Sequence, residues 1–233
     1  MATTDTHSKS HDSETALIGL EPGDHLDQAT FHARYESVPD DVSAELVGGI
    51  VFMPAALRFD HGEIHTEIMG WLSAYKGATP GTRAFDNASV ILADDSEPQP
   101  DASLIIRPEC GGQTTLRDGY ICGPPELVVE VALSSAAYDL HAKRRDYEKY
   151  GVGEYLVLVL REQRAVWFVR EGDAFTEMPP SDDGLLRSRL FGGLWLDPAA
   201  IFACDTRRVH EVLGQGLASD DHRRTVKRLG TAK

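Results

Sequence analysis

The chain is poor in cysteine, has no long apolar run and carries no surplus of positive charge. Its cysteines, Cys110, Cys122 and Cys204, are scattered, odd in number and show no C-x-x-C spacing. That excludes a disulfide frame and a cysteine zinc site, and makes reduced thiols in a cytoplasmic protein the expectation. No stretch approaches the roughly 18 apolar residues that a membrane helix needs. The longest candidates, Leu127 to Leu133 and Tyr155 to Leu160, are strand-sized. The N-terminus stays polar through Glu14, without a basic start followed by an apolar stretch, so no secretory signal is expected.

Lys and Arg number 23 against 37 Asp and Glu, a formal net charge of -14. A protein that coats nucleic acid presents a basic face, because phosphate neutralisation and counterion release drive such binding. The charge therefore counts against a simple coat, and does not exclude an enzyme with a local substrate contact. Thr206 to Lys233 is locally basic, with seven Lys/Arg against Glu211, Asp220 and Asp221. A solvated, frayed terminus is the ordinary reading of such a tail; a local nucleic-acid contact is the alternative.

What is present is the material of one α/β domain: 233 residues, 42% hydrophobic and 26% charged. The pattern divides it into an unstructured segment 1–22, a domain 23–204, and a C-terminal helix with a basic tail, 205–233. Asp24 to Glu36 is loosely helical, with Asp24 as a candidate cap. Ser43 to Met53 reads as two short strands joined by Gly48-Gly49, a pair suited to a tight hairpin turn. His61 to Lys76 is a helix, since Ile64, Ile68, Trp71, Leu72 and Tyr75 recur at three- and four-residue spacing. Arg83 to Leu92 and Asp101 to Ile106 read as strands, and Arg107 to Pro125 as a loop. Glu126 to Leu133, apolar on both faces, is expected to be a central strand covered on both sides. Asp139 to Tyr150 is a helix with Asp139 as N-cap and Gly151 beyond its end. Glu154 to Leu160, Ala165 to Arg170 and Ala174 to Met178 form a strand series. Mixed rather than alternating elements favour a mixed sheet flanked by helices (an α+β arrangement) over a doubly wound one.

Four charged residues stand out against this frame. Glu130 lies among Leu127, Val128, Val129, Val131, Ala132 and Leu133, where an ionised carboxylate is costly without a cation beside it. A protonated or salt-bridged core glutamate is the alternative. Asp101 follows Pro100, which forces an extended entry into the next strand. Alone it would be an ordinary loop-ending Asp, but two adjacent strands can aim Asp101 and Glu130 at one point. Such hard oxygen ligands suit Mg2+ or Mn2+. Lys143 shares a helix face with Leu140, Tyr147 and Tyr150, so its ammonium either meets those carboxylates or snorkels to water. Near the acids it would orient a water and offset charge on a phosphorane-like transition state. Glu45 is a fourth acid among apolar neighbours; the hairpin pattern alone favours a solvent-facing position, with an added role in the site as the alternative. His61 and His65 lie one helical turn apart, but Gly62 occupies the place where the zinc-protease pattern needs Glu.

In order, Glu45-Leu46-Val47-Gly48-Gly49, His61-Gly62, Gln99-Pro100-Asp101, Pro125 to Val131, Ser134-Ser135, Asp139-Leu140 through Lys143 to Tyr147, and Gly151-Val152-Gly153-Glu154-Tyr155 resemble the Uma-two family of restriction endonucleases, within the PD-(D/E)XK nuclease superfamily. The resemblance spans roughly Ala29 to Phe202 and is most specific from Pro125 to Tyr155. It implies a restriction-endonuclease-like core with flanking helices and an added β-hairpin region. It also implies that Asp101 and Glu130 match the metal-binding acids, with the Val131 carbonyl as a further oxygen. The superfamily places a lysine two residues after the second acid; here that position is Ala132, and the resemblance shifts the role to Lys143. The implied activity is Mg2+-dependent hydrolysis of phosphodiester bonds in DNA, with Glu45 an optional fourth participant from its own position. The strand-rich segment Glu154 to Met178 is suited to pairing with a second copy, so a homodimer is the expectation. A catalytically inactive nuclease fold serving as an interaction module is the rival expectation, because a fold does not carry a function by itself.

Overall fold

The computed structural model describes residues 19–39, 41–54 and 58–231. Its centre is a six-stranded mixed sheet in the order β11-β10-β9-β8-β5-β3. The strands are β3 (Thr82–Asp86), β5 (Ala102–Ile106), β8 (Leu127–Ala132), β9 (Glu154–Val159), β10 (Arg164–Glu171) and β11 (Ala174–Met178). Only β8 and β9 run parallel; the other neighbours are antiparallel. A parallel pair needs a crossover. Here it is a helical segment: α3 (Ala136–Tyr138), a π-helical turn Asp139–Lys143, and α4 (Arg144–Tyr150). Gly151 ends it with φ of 92°, the left-handed conformation that glycine adopts without a Cβ penalty.

The sheet is apolar on both faces because both are covered. Leu127, Val129 and Val131 of β8 pack with Ile64, Ile68, Trp71, Leu72 and Tyr75 of α2 (Phe59–Ala78). The short hairpin of β12 (Leu186–Arg187) and β13 (Trp195–Leu196), α5 (Pro198–Phe202) and α6 (Thr206–Leu217) close that layer. Each buried aliphatic of the α2 stripe contributes roughly 1.5–3 kcal/mol. On the opposite face Val128 and Ala132 pack with Tyr147 of α4, Val152 and Tyr155. Glu130 alternates with those two, and therefore faces the crossover helix.

A smaller unit sits at the side. Phe31 of α1 (Gln28–Tyr35) packs with Leu46 and Val51 of the hairpin β1 (Glu45–Val47) and β2 (Ile50–Phe52). Gly48 and Gly49 turn this hairpin with φ of 59° and 77°. The Gly48 amide donates to Asp146 Oδ2 on α4 at 2.8 Å, which ties the hairpin to the crossover helix.

Several sequence expectations are corrected. Asp27, not Asp24, caps α1, accepting from the Thr30 amide at 2.7 Å. Arg83 to Leu92 is not one strand: Asn87 adopts φ of 47°, and the chain then enters β4 (Val90–Ile91) of a separate three-stranded sheet. The expected loop Arg107 to Pro125 supplies the rest of that sheet, β6 (Thr115–Arg117) and β7 (Tyr120–Cys122). The crossover helix begins at Ala136, so Asp139 is a buried member of it rather than its cap. Of the segment read as unstructured, residues 1–18 lie outside the described residues, while Leu20 is buried with Phe31. After residue 205 the chain forms two helices, α6 and α7 (Asp220–Thr231), and Lys233 lies outside the described residues. Among the described residues no helix is long and apolar enough to cross a membrane.

Candidate active site

Strand pairing brings the two acids together. Ala102 of β5 is the partner of Val129 of β8, so Asp101, one step earlier, stands opposite Glu130, one step later. Directly opposed residues of an antiparallel pair point to the same face, with Cα atoms roughly 4.5–5.5 Å apart. Asp101 is anchored in that place: the Val131 amide donates to its Oδ2 at 2.6 Å. His61, in the first turn of α2, sets Nε2 3.2 Å from each carboxylate oxygen. His65, a turn further on, donates from Nε2 to the Asp101 carbonyl oxygen at 2.9 Å and lies 3.2 Å from Asp86 Oδ1. Both rings thus contact Asp101, His61 at its carboxylate and His65 at its carbonyl.

Lys143 is buried together with its head group, which rules out snorkelling here. The crossover helix returns over β8, and its π-helical turn directs Lys143 inward. Its Nζ lies 2.8 Å from Glu130 Oε1 and 2.8 Å from Glu45 Oε1, with Asp139 Oδ1 at 4.0 Å. Tyr147, one turn later, donates its hydroxyl to the same Glu130 oxygen at 3.0 Å. Glu45 is 4% exposed, so the solvent-facing hairpin position does not hold. Its Oε1 also accepts the Gln99 amide at 2.7 Å, two residues before Asp101.

The electrostatics follow from burial and crowding. Burial raises the Glu130 pKa well above the usual carboxylate range; Lys143 opposes this, while Asp101, Asp139 and Glu45 add to it. Burial alone would lower the Lys143 pKa, but Glu130, Glu45 and Asp139 outweigh it and hold the ammonium firmly protonated. Burial pushes Asp139 up to about 6 against the pull of Lys143 and of the Ser135 hydroxyl, which donates to it at 2.6 Å. Asp101 differs in sign: burial raises it, yet His61, the Val131 amide and Lys143 together bring it below the ordinary value. Four carboxylates around one ammonium leave surplus negative charge, which a proton or a cation can neutralise.

These groups line one cavity of about 650 Å3, shared with the Phe52 and Tyr138 rings, which stack at 3.9 Å. All four acids and bases singled out in the sequence, Asp101, Glu130, Lys143 and Glu45, lie on it. Asp139 was missed as a site residue; its i, i+4 spacing from Lys143 on one helix was the available signal. Among the described residues no three His, Cys, Asp or Glu side chains form a ready cage for a metal. An ion here would rest on Asp101 and Glu130, backbone oxygen and water.

A mixed sheet with helices on both faces, carrying opposed acids beside a buried lysine, defines the restriction-endonuclease-like class. A family model described as "Putative restriction endonuclease" matches residues 29–199, and the chain belongs to that family. Its fold is similar to a crystal structure of a putative nuclease belonging to DUF820 from Anabaena variabilis, with a TM-score of 0.54 and 14% identity. The likeness covers 78% of this chain and 97% of that one. No curated protein matches the chain.

Proposed function

We propose that the chain is a Mg2+-dependent endonuclease that hydrolyses phosphodiester bonds in DNA, with Mn2+ able to replace Mg2+. The observation that carries this reading is the buried Lys143 ammonium, 2.8 Å from Glu130 and from Glu45, beside Asp101 on a wall of a 650 Å3 cavity. Family membership and the nuclease-like fold support it.

Asp101 and Glu130 would hold the ion, with the Val131 carbonyl as a further oxygen. Both hydrogen bonds to Glu130 end on Oε1, and the donor set is of the hard oxygen type that Mg2+ takes. When bound, the ion would polarise the phosphate and lower the pKa of a coordinated water. Lys143, held protonated, cannot accept a proton; it donates, orienting the attacking water and offsetting charge on the phosphoryl oxygens. Glu45 holds the ammonium from the other side and so positions it. Tyr147 fixes Glu130, and His61 fixes Asp101. In the reaction a bond forms from water oxygen to phosphorus, the ester P–O bond breaks, and the leaving oxygen takes up a proton.

Supercoiled plasmid incubated with Mg2+ or Mn2+ should be nicked or linearised, and Asp101→Asn or Glu130→Gln should abolish this. Unchanged cutting by both variants would refute the assignment. A second reading, an inactive nuclease fold acting as an interaction module, is favoured by the net charge of -14. It would be selected by absence of cutting together with absence of Mn2+ binding in calorimetry. A homodimer is proposed through β11, an edge strand of the sheet; the mass in solution tests it.

A further inference from the structure

The cavity presents a problem to a polyanion. Its lining includes five carboxylates, Asp41, Glu45, Asp101, Glu130 and Asp139, and Lys143 is enclosed among three of them. Two further cations, Arg58 and Arg161, line the same cavity. Both are exposed, and among the described residues neither guanidinium is hydrogen-bonded or ion-paired, the Arg58 carbonyl alone accepting the His61 and Gly62 amides. They come from different elements. Arg58 immediately precedes α2, three residues before the His61 that grips Asp101. Arg161 lies in the turn Leu160–Glu162 directly after β9, the neighbour of β8 on the side away from β5. Two different elements therefore each bring an arginine to the cavity that the acids line. A guanidinium offers a planar fork that matches phosphate oxygens, and one without a carboxylate partner needs no exchange of partners to bind them.

We infer that Arg58 and Arg161 form a phosphate clamp across the cavity mouth, each taking a backbone phosphate of the bound DNA strand beside the phosphate that is cut. The inference rests on the nuclease reading and adds to it two positioning residues and their ligand. It also explains how so acidic a chain accepts DNA: the attraction is local, two guanidinium groups at the rim, and not a basic face.

The test is the salt dependence of binding of an end-labelled duplex oligonucleotide, followed by fluorescence anisotropy with divalent ions chelated so that no cutting intervenes. Each phosphate contact adds roughly 0.9 to the slope of log affinity against log salt. Arg58→Ala and Arg161→Ala should each lower that slope by about one and weaken binding roughly five- to tenfold near 0.1 M salt. Arg→Lys at either position should restore the slope. Arg207→Ala, an exposed arginine of α6 that does not line the cavity, should change neither. In cutting assays the two Ala variants should raise KM with little change in kcat. Unchanged slopes in both Ala variants, a loss only in Arg207→Ala, or no binding by the unaltered chain would overturn the clamp. Cutting with unaltered KM in the Ala variants would sink the clamp and leave the nuclease reading standing. Binding with the predicted slopes but no cutting would do the reverse.

Discussion

Lys143 Nζ meets Glu130 Oε1 at 2.8 Å across the β8–β9 crossover, with both side chains buried. Removing the cation strands two buried carboxylates, Glu130 and Glu45. Lys143→Met should therefore destabilise the protein by about 3–5 kcal/mol at neutral pH. The loss should shrink on acidification, because a carboxylate whose folded pKa lies above its unfolded value favours the folded state below that range. Urea denaturation at pH 7.5 and pH 5 checks this; an equal loss at both would contradict it. Cutting should fall by roughly a hundredfold or more.

Asp139 carries a pKa of about 6, against 3.8 for the ordinary group. The folded state then holds its proton more tightly, so its contribution is full below about pH 4 and fades as pH rises through 6. Asp139→Asn retains an oxygen that accepts from Ser135 and removes the buried charge. It should leave stability at pH 4 nearly unchanged and raise it above pH 6 by up to about 3 kcal/mol. A difference that stays flat across this range would refute the burial argument.

Glu154 tests whether a buried strand acid is a site residue or a framework residue. It is fully buried and accepts the Arg189 and Leu190 amides at 2.7 and 2.8 Å and the Trp167 indole at 3.1 Å. Glu154→Ala leaves these donors unpaired and should cost on the order of 3 kcal/mol, without loss of specific activity in the folded fraction. Glu130→Gln should show the opposite pattern, with cutting abolished and stability little changed. Denaturation and plasmid assays on both variants separate the two roles.

His61 holds Asp101 from its Nε2, while its buried Nδ1 has no hydrogen-bond partner among the described residues. Replacing it by Ala should let the Asp101 pKa rise and weaken Mn2+ binding roughly ten- to a hundredfold, most strongly at lower pH. Identical titrations for His61→Ala and the unaltered chain would contradict this positioning role.

How much was legible in the sequence depends on the kind of signal. The central strand, the α2 stripe and the Gly-Gly hairpin follow from periodicity and turn chemistry, and each stands where those rules put it. Lys143 was marked by its apolar helix face. Glu130, Glu126 and Glu154, however, are all acids within or beside apolar strands, and local pattern cannot separate them. Their difference is tertiary: Glu126 accepts the Ile106 and Gln113 amides, and Glu154 accepts amides and an indole, whereas Glu130 faces an ammonium and a phenol. The burial of Glu45 was illegible in the hairpin pattern for a similar reason, since its hairpin is docked against the crossover helix through Gly48 and Asp146. The π-helical turn, which puts both Asp139 and Lys143 inside, has no periodic signature at all.

Calorimetric titration with Mn2+ at pH 7.5 asks most directly whether Asp101, at the entry to β5, and Glu130 of β8 form a cation site. One ion should bind per chain, with at least tenfold weaker binding in Asp101→Asn and in Glu130→Gln, and with unchanged binding in Glu154→Gln. Equal Mn2+ affinity in all four proteins, or none in the unaltered chain, would contradict it.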